Sequence, residues 1–214
     1  MSAHIAKVGV SYFSVPKCAC TSLKQTFWAL ENSRPFRAFV VNGRKFRLQQ
    51  VYETRAFETE APNRPEGAWT FAIVRDPASR VVSCFRNRVA ARKLLKRPET
   101  AEKLAAADVP VAPNLSEFVA GLGTYRAASE EIDWHLKPFS FFLGRDAGFF
   151  DRVYSLSEIA TLAKDLTERF GRKVDIPHRQ TAGPKLSRKD LSAAELAEIE
   201  TAFAEDIEIF GKHF

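Results

Sequence analysis

Two short segments of the chain combine cationic side chains, hydroxyls and small residues in an order that suits anion binding. The first, residues 16–22, has the sequence PKCACTS and follows an apolar run at residues 8–14 (VGVSYFS). A short β-branched and aromatic run predicts a strand, and we predict a helix from about Thr21 to Glu31 after the loop. Backbone N–H groups at a helix start, together with the helix dipole, favour an anion.

Side chains of the first segment add to this backbone site. Lys17 supplies a positive charge, and Thr21 and Ser22 supply hydroxyl donors. The segment is not a Walker A loop, because it has no glycine and its lysine comes directly after the strand. The alternative is a plain strand–turn–helix in which Ser22, with Gln25 as its capping-box partner, caps the helix and Lys17 lies in water.

The second segment, residues 74–83, has the sequence VRDPASRVVS. It follows residues 69–74 (WTFAIV), whose nearly continuous apolar run predicts a buried parallel strand. Asp76 as N-cap predicts a helix to about Ala91. Arg75 would then lie at the end of the strand, and its planar guanidinium suits a phosphate. The Ser83 hydroxyl would lie on the following helix. The alternative is a structural Arg–Asp pair and a serine bonded to its own backbone.

The remaining elements place both segments at one edge of a sheet. Residues 38–41 and 153–154 predict short strands, and residues 157–170 and 192–203 predict helices. Strands that alternate with helices indicate an α/β fold with a parallel sheet. Ligands in such sheets bind at the carboxyl ends of the strands, where both segments lie.

Length, charge and cysteine content limit the class of protein. The 214 residues suffice for one domain with a sizeable core. A formal net charge of +6 suits an anionic partner, although a solvated basic surface explains it equally well. The cysteines Cys18, Cys20 and Cys84 indicate reduced thiols. We find no signal peptide, membrane span or nucleic-acid motif, and we expect a cytoplasmic protein.

Taken together, the two segments resemble the PAPS-dependent sulfotransferases (PAPS is 3′-phosphoadenosine 5′-phosphosulfate), and the branch with carbohydrate sulfotransferases and bacterial homologues in particular. That family has a 5′-phosphosulfate loop of the type P-K-x-x-x-T-S/T and a 3′-phosphate motif of the type V-R-D/N-P-x-x-R-x-x-S. Residues 133–138 (DWHLKP) are similar to its D-x-H-x-x-P segment, with Phe139 where glutamine is frequent. Residues 177–180 are similar to a late P-H-x-N segment, with Gln180 in place of asparagine.

The resemblance implies one sulfotransferase domain over residues 1–214, with a P-loop-like three-layer α/β fold and a central, mainly parallel sheet flanked by helices. It implies PAPS as the donor, PAP as its product and a hydroxyl acceptor, which we expect to be a carbohydrate or other small molecule. Arg75 and Ser83 would hold the 3′-phosphate. The 5′-phosphosulfate would be held by Lys17, Cys18, Ala19, Cys20, Thr21 and Ser22.

We treat sulfuryl transfer by analogy with phosphoryl transfer and predict two catalytic residues on that basis. Lys17 would stabilise the charge that builds on the leaving phosphate. His135 would take the proton of the acceptor, because imidazole titrates near neutrality, and Asp133 would orient its ring. His178 is the second choice of base. No metal is expected, because no usual metal-ligand spacing is present.

Two other functions fit the same strand–loop–helix. A P-loop-type phosphotransferase would use ATP, but it needs a Walker lysine and a metal-binding carboxylate. A non-catalytic nucleotide-binding protein would bind PAP without transferring a group. The sequence leaves open the identity of the acceptor, the oligomeric state, and the roles of residues 34–65 and of the basic run at residues 92–97.

Overall fold

The structure is a computed structural model, and contacts between its residues divide the chain into two compact units. The prediction of one domain over residues 1–214 stays a prediction. The first unit comprises Met1–Arg75, Phe139–Arg179 and Lys212–Phe214, and the second comprises Asp76–Pro138 and Gln180–Gly211. The residues that the structure describes are 3–5, 8–177 and 182–214.

The regular elements of the described residues follow one another as a mixed α/β chain. The strands are β1 (Ala3–Ile5), β2 (Val10–Phe13), β3 (Phe39–Val41), β4 (Arg44–Phe46), β5 (Trp69–Val74) and β6 (Arg152–Ser155). The α-helices are α1 (Cys20–Asn32), α2 (Leu48–Val51), α3 (Phe57–Glu60), α4 (Pro77–Cys84), α5 (Pro98–Ala106), α6 (Leu115–Ala120), α7 (Leu122–Ala128), α8 (Glu130–Leu136), α9 (Phe139–Leu143), α10 (Ile159–Phe170), α11 (Ala193–Ala202) and α12 (Ala204–Phe210). No helix of these residues combines the length and apolar character that crossing a bilayer requires.

The first unit is built on a four-stranded sheet in the order β1-β2-β5-β6. β1 is antiparallel to β2, whereas β2, β5 and β6 are parallel. Five of the six side chains of β5 are buried, as the continuous apolar run predicted. The predicted strand at residues 69–74 and the mainly parallel sheet are therefore confirmed.

Aromatic rings fill the core of the first unit next to this sheet. Tyr12 of β2 stacks on Phe71 of β5 with ring centroids 5.1 Å apart, and Phe27 of α1 meets Tyr12 edge to face at 5.8 Å. All three side chains are almost fully buried. Because offset and edge-to-face ring pairs add to the hydrophobic gain of burial, this cluster fixes α1 against the two central strands.

The predicted strand at residues 38–41 lies outside the main sheet. β3 pairs antiparallel with β4 in a separate two-stranded sheet. Asn42 and Gly43, which join the two strands, have φ values of 50° and 74°. Asn-Gly in the left-handed region is the preferred two-residue hairpin turn, so this local signal decides the pairing of β3.

The second unit is helical, and its buried core is aliphatic and aromatic. The helix predicted from Pro77 to Ala91 is present, but it changes character. α4 ends at Cys84 and a π-helical stretch, Phe85–Ala91, continues it. The predicted N-cap is confirmed, since Asp76 Oδ1 accepts a hydrogen bond of 2.7 Å from the Ser79 amide.

This cap generates a prediction for stability. Asp76→Ala removes the acceptor and should lower the free energy of unfolding by about 1 kcal/mol, measured by urea denaturation. Asp76→Asn keeps a side-chain oxygen at the same place and should stay close to the wild type. Equal losses for both variants would show that the carboxylate charge, rather than the cap, stabilises α4.

Candidate functional site

The loop between β2 and α1 adopts an uncommon backbone conformation. Lys17 has a φ of 68° and Ala19 a φ of 56°, both in the left-handed region. This region is uncommon for residues other than glycine, and such outliers cluster at ligand sites, where the surrounding structure must stabilise them. Left-handed residues also let a loop turn successive N–H groups toward one concave side, which is how backbone anion sites form.

Helix α1 begins one residue earlier than predicted, and its cap differs. Ala19 is the N-cap residue and makes no capping side-chain bond. The predicted capping box of Ser22 and Gln25 is therefore wrong. Because the left-handed Ala19 starts the helix early, Thr21 and Ser22 lie inside its first turn. Their hydroxyls therefore lie at the start of the helix, where the sequence predicts an anion-binding site.

The loop is packed into the first unit rather than exposed above it. Lys17 is 8% exposed and Cys18 is fully buried. Tyr12 lies within electrostatic range of the loop, and its pKa is raised, first by burial and then by the charges that Cys20 and Cys18 would carry as thiolates. The Tyr12 hydroxyl thus stays neutral. A loop packed this closely holds its backbone in one arrangement.

Arg75 lies against this loop. It follows β5 directly, and β5 runs parallel beside β2, with Phe13 paired to Ala72. The Arg75 guanidinium donates a hydrogen bond of 3.4 Å from Nη1 to the backbone oxygen of Lys17. The structure therefore brings together the cationic residues of the two sequence segments that lie in the first unit.

A second lysine of α1 lies behind the loop. Lys24 is fully buried, and its ammonium donates to Gln49 Oε1 at 2.9 Å and to Thr54 Oγ1 at 2.7 Å. Burial lowers the Lys24 pKa, and the carboxylates of Glu60 and Glu53, together with the charge that Cys20 would carry as a thiolate, oppose that shift.

Two further hydrogen bonds connect Lys24 to both sides of the loop. Gln49 donates from Nε2 to Thr21 Oγ1 at 3.1 Å, and Thr54 Oγ1 lies 2.7 Å from Ser14 Oγ. Ser14 precedes the loop and Thr21 follows it. Residues 48–54, which the sequence left without a role, thus contribute two side chains beside the predicted anion site.

Lys24, Gln49 and Thr54 were not predicted from the sequence. The only signal lay in α1 itself, where Lys24 stands between the core residues Leu23 and Phe27 on the helix face that is buried. A lysine among core positions is rare unless it is paired. Gln49 and Thr54 belong to a short helix and a loop, and nothing in their spacing indicates contact with α1.

Ser83 and Arg80 belong to the second unit. Both lie on α4, where Ser83 is half-buried and Arg80 is 1% exposed. Arg80 Nη1 lies 3.9 Å from Asp206 Oδ2, and that carboxylate is itself fully buried. Arg80 is therefore a core residue of its unit. The 3′-phosphate role of Ser83 stays a prediction.

His135 lies on α8 of the second unit, and both of its ring nitrogens are engaged. Nδ1 is 2.6 Å from the Glu131 backbone oxygen, and Nε2 is 3.0 Å from Nε and 2.6 Å from Nη2 of Arg88. Because a guanidinium only donates, Nε2 accepts, and the proton of the neutral ring lies on Nδ1. A catalytic base at Nε2 would first have to separate from Arg88.

Asp133 does not orient His135. Its carboxylate contacts Nε and Nη2 of Arg126 at 3.0 Å each and Lys137 Nζ at 3.0 Å. The predicted Asp–His pair required a loop, whereas residues 130–136 form a helix, and residues two positions apart on a helix do not face each other.

Metal-ligating side chains and cysteines can be examined among the described residues. Among residues 3–5, 8–177 and 182–214, no group of three or more histidine, cysteine or acidic side chains is placed to hold a metal ion, and the cysteines form no disulfide bridge there. His178 and Gln180, the late nucleotide segment of the sequence analysis, lie outside the described residues.

Comparison with models of protein families identifies a family for the chain. A family model described as the sulfotransferase family matches residues 6–212, nearly the whole chain. The chain therefore belongs to the sulfotransferase family, which indicates a transferase that moves a sulfuryl group to an acceptor substrate. No curated protein and no solved structure matches the chain.

The contacts of His135 generate a prediction. We expect nitrogen NMR of the wild-type protein, at a pH where the His135 ring is neutral, to show the ring protonated at Nδ1, because Arg88 occupies Nε2. Arg88→Met should weaken that preference, since the donor to Nε2 is removed. A ring protonated at Nε2 in the wild-type protein would contradict the assignment.

Proposed function

We propose that this sulfotransferase uses PAPS as its donor and transfers the sulfuryl group to a hydroxyl, with a carbohydrate or another small molecule as acceptor. The proposal combines the family membership with the two motifs that resemble the nucleotide segments of PAPS-dependent enzymes. PAPS carries anionic groups at both ends of its ribose, and a compact cationic site suits such a ligand.

The observation that carries the proposal is the contact between Arg75 and the Lys17 loop. Two cationic side chains at the carboxyl ends of adjacent parallel strands create a positive field where ligands of such sheets bind. The planar fork of donors on a guanidinium matches the geometry of a phosphate, which supports Arg75 as the residue that binds one.

The proposed roles within the first unit come from the family resemblance, and the local backbone supports them. The loop backbone from Cys18 to Cys20 and the hydroxyls of Thr21 and Ser22 would bind the 5′-phosphosulfate at the start of α1. Arg75 would bind the 3′-phosphate. The donor supplies an activated sulfuryl group whose bond to the 5′-phosphate breaks as the acceptor oxygen attacks sulfur, and the electron pair stays on that phosphate.

Lys17 would act on the charge that develops in this step. Negative charge grows on the leaving phosphate, and a fixed ammonium stabilises it more in the transition state than in the ground state. The 8% exposure of Lys17 favours this role, because electrostatic attraction is stronger where water is excluded. The acceptor proton would pass to a base, and His135 remains the candidate for it. Ser83 would be a further ligand of the 3′-phosphate. Both roles rest on the resemblance.

The donor prediction is tested by nucleotide binding. Wild-type protein should show a larger rise in melting temperature with PAP than with ATP plus Mg²⁺, because at equal concentration the ligand with the lower Kd stabilises the fold more. Arg75→Ala should weaken PAP binding by about tenfold to a hundredfold in calorimetry, the expected loss for hydrogen bonds to a charged group.

Arg169→Ala is a matched control for Arg75. Arg169 also belongs to the first unit but stacks over Trp69 at the opposite end of β5, 4.0 Å from the ring centroid. Its loss should leave PAP affinity unchanged. Unchanged PAP affinity in Arg75→Ala would remove Arg75 from the nucleotide site, and a preference of the wild type for ATP plus Mg²⁺ would favour a phosphotransferase.

The catalytic prediction concerns Lys17. Lys17→Ala should lower the turnover number by about a hundredfold to a thousandfold while changing PAP affinity much less, measured with radiolabelled PAPS and a panel of hydroxyl acceptors. Lys45→Ala removes the same charge from the exposed strand β4 and should retain full turnover. PAP binding by the wild type without transfer to any acceptor would instead indicate a non-catalytic binding protein.

A further inference from the structure

The chain around β3 and β4 carries a dense positive charge. Residues 32–52 contain five cationic side chains and no carboxylate. All five are exposed: Arg34, Arg37, Arg44, Lys45 and Arg47. The nearest acidic residues along the chain, Glu31 and Glu53, have hydrogen-bond partners of their own. We call residues 34–47, which include β3 and β4, the basic hairpin.

The basic hairpin also exposes aliphatic surface. Val40 is 64% exposed and Val41 is 48% exposed, and these two are the exposed large hydrophobic side chains of the part of the chain that the structure describes. Val40 lies opposite Lys45 of β4, and the next valine lies opposite Arg44. Because successive residues of a strand point to opposite faces, each face of the hairpin places a cation beside a valine.

Aromatic contacts hold the hairpin against α1. Phe39 of β3 stacks on Phe46 of β4 with ring centroids 5.5 Å apart, and Trp28 of α1 stacks on Phe39 at 6.0 Å. An isolated two-stranded hairpin is only marginally stable in water, so these ring contacts contribute to its stability. Val40 and Val41 are thus exposed on an anchored hairpin rather than on a loose loop.

The combination of charge and aliphatic surface decides which partner fits the basic hairpin. A second copy of the chain would pair edge to edge with β3 or β4, but a symmetric pairing would bring the cations of both copies close together. A polyanion such as heparin or single-stranded DNA would match the cations and leave the valines without apolar contact. The surface of an anionic bilayer offers both partners, because charged phosphates lie there beside a hydrocarbon boundary.

We propose that the basic hairpin is a docking surface for membranes that contain anionic lipids. Its cations would lie among the headgroups, and Val40 and Val41 would enter the boundary between headgroups and acyl chains. Such binding combines buried apolar area with attraction to anionic lipid, and it needs no segment that spans the bilayer. The inference goes beyond the proposed function and does not rest on the identity of the donor.

Vesicle binding by the whole chain tests the charges. Wild-type protein should cosediment with vesicles of equal parts phosphatidylcholine and phosphatidylglycerol, and far less with vesicles of phosphatidylcholine alone. Added salt should weaken this binding. The double substitution Arg44→Gln with Lys45→Gln should lower the partition coefficient about twentyfold, because each cation near an anionic surface contributes about fivefold.

Arg92→Gln with Lys93→Gln is the matched control for charge. Arg92 and Lys93 are also an exposed Arg-Lys pair, so this variant loses the same charge from a segment that has no exposed valine among the described residues. Its partition coefficient should stay close to that of the wild type. An unchanged melting temperature without lipid checks that each variant is folded. Equal loss in both double variants would overturn the proposal, because binding would then follow net charge alone.

The valines are tested at constant charge. Val40→Thr with Val41→Thr keeps the β-branched shape that a strand favours but adds a hydroxyl to each side chain. This variant should lower the partition coefficient about tenfold. Val40→Leu with Val41→Leu enlarges the apolar area and should raise the partition coefficient about fivefold. A purely electrostatic contact predicts neither shift.

The remaining outcomes separate the bilayer from other partners and from the donor site. If the wild type does not bind the mixed vesicles, or binds phosphatidylcholine alone equally well, the docking surface is wrong. Unchanged vesicle binding after the threonine substitutions would indicate a polyanion as the partner. A wild-type dimer that the same substitutions dissociate in analytical ultracentrifugation would indicate a second copy. The hairpin variants should keep the PAP affinity of the wild type, so failure of the proposed donor would leave the vesicle result intact.

Discussion

The parallel pairing of β2 with β5 is the constraint on which the site depends. Parallel neighbours end at the same edge of a sheet, so the loop after β2 and the residue after β5 must meet there. The bond between the Arg75 guanidinium and the Lys17 backbone oxygen is the direct result. β5 can take this central place because all of its side chains except Thr70 are apolar, which is the composition typical of a strand buried on both sides.

The burial of Lys24 shows how the loop is held without glycine. An ammonium group taken out of water is costly unless hydrogen bonds replace its hydration, and Gln49 and Thr54 supply two of them. The same side chains contact Thr21 and Ser14 on either side of the loop. The same hydrogen bonds therefore hold residues 48–54 against α1 and connect them to both sides of the loop.

Sequence reasoning succeeded where the signal is local and strong. Residues 69–74, the Asp76 cap and the helices around residues 157–170 and 192–203 follow from periodicity and capping chemistry, and the structure has them with small shifts at their ends. The family assignment rested on two motifs and is confirmed across residues 6–212. The antiparallel β1 was missed because its pairing with β2 is set by tertiary packing. The hairpin of β3 and β4 was missed although the Asn42-Gly43 turn is a local signal for it.

The candidate site was predictable only in part, for the same reason. Lys17 and Arg75 could be placed together because each ends a strand. The helix cap was predicted at Ser22 because serine is a common cap, but the left-handed Ala19 starts the helix earlier. Lys24, Gln49 and Thr54 come together through tertiary contacts across some thirty residues of chain, and no spacing rule links them.

The left-handed residues Lys17 and Ala19 explain why the loop needs the contacts described above. A residue other than glycine in that region costs about 1–3 kcal/mol, and the loop has two, Lys17 and Ala19. Glycine would remove that strain but would also let the empty loop sample other conformations. A strained loop held by Arg75, by the buried Cys18 and by the Lys24 network keeps its N–H groups and hydroxyls in place before any ligand arrives. In the proposed donor site, such preorganisation would favour an anion whose charge shifts during the reaction, since the dipoles that stabilise it need not reorganise.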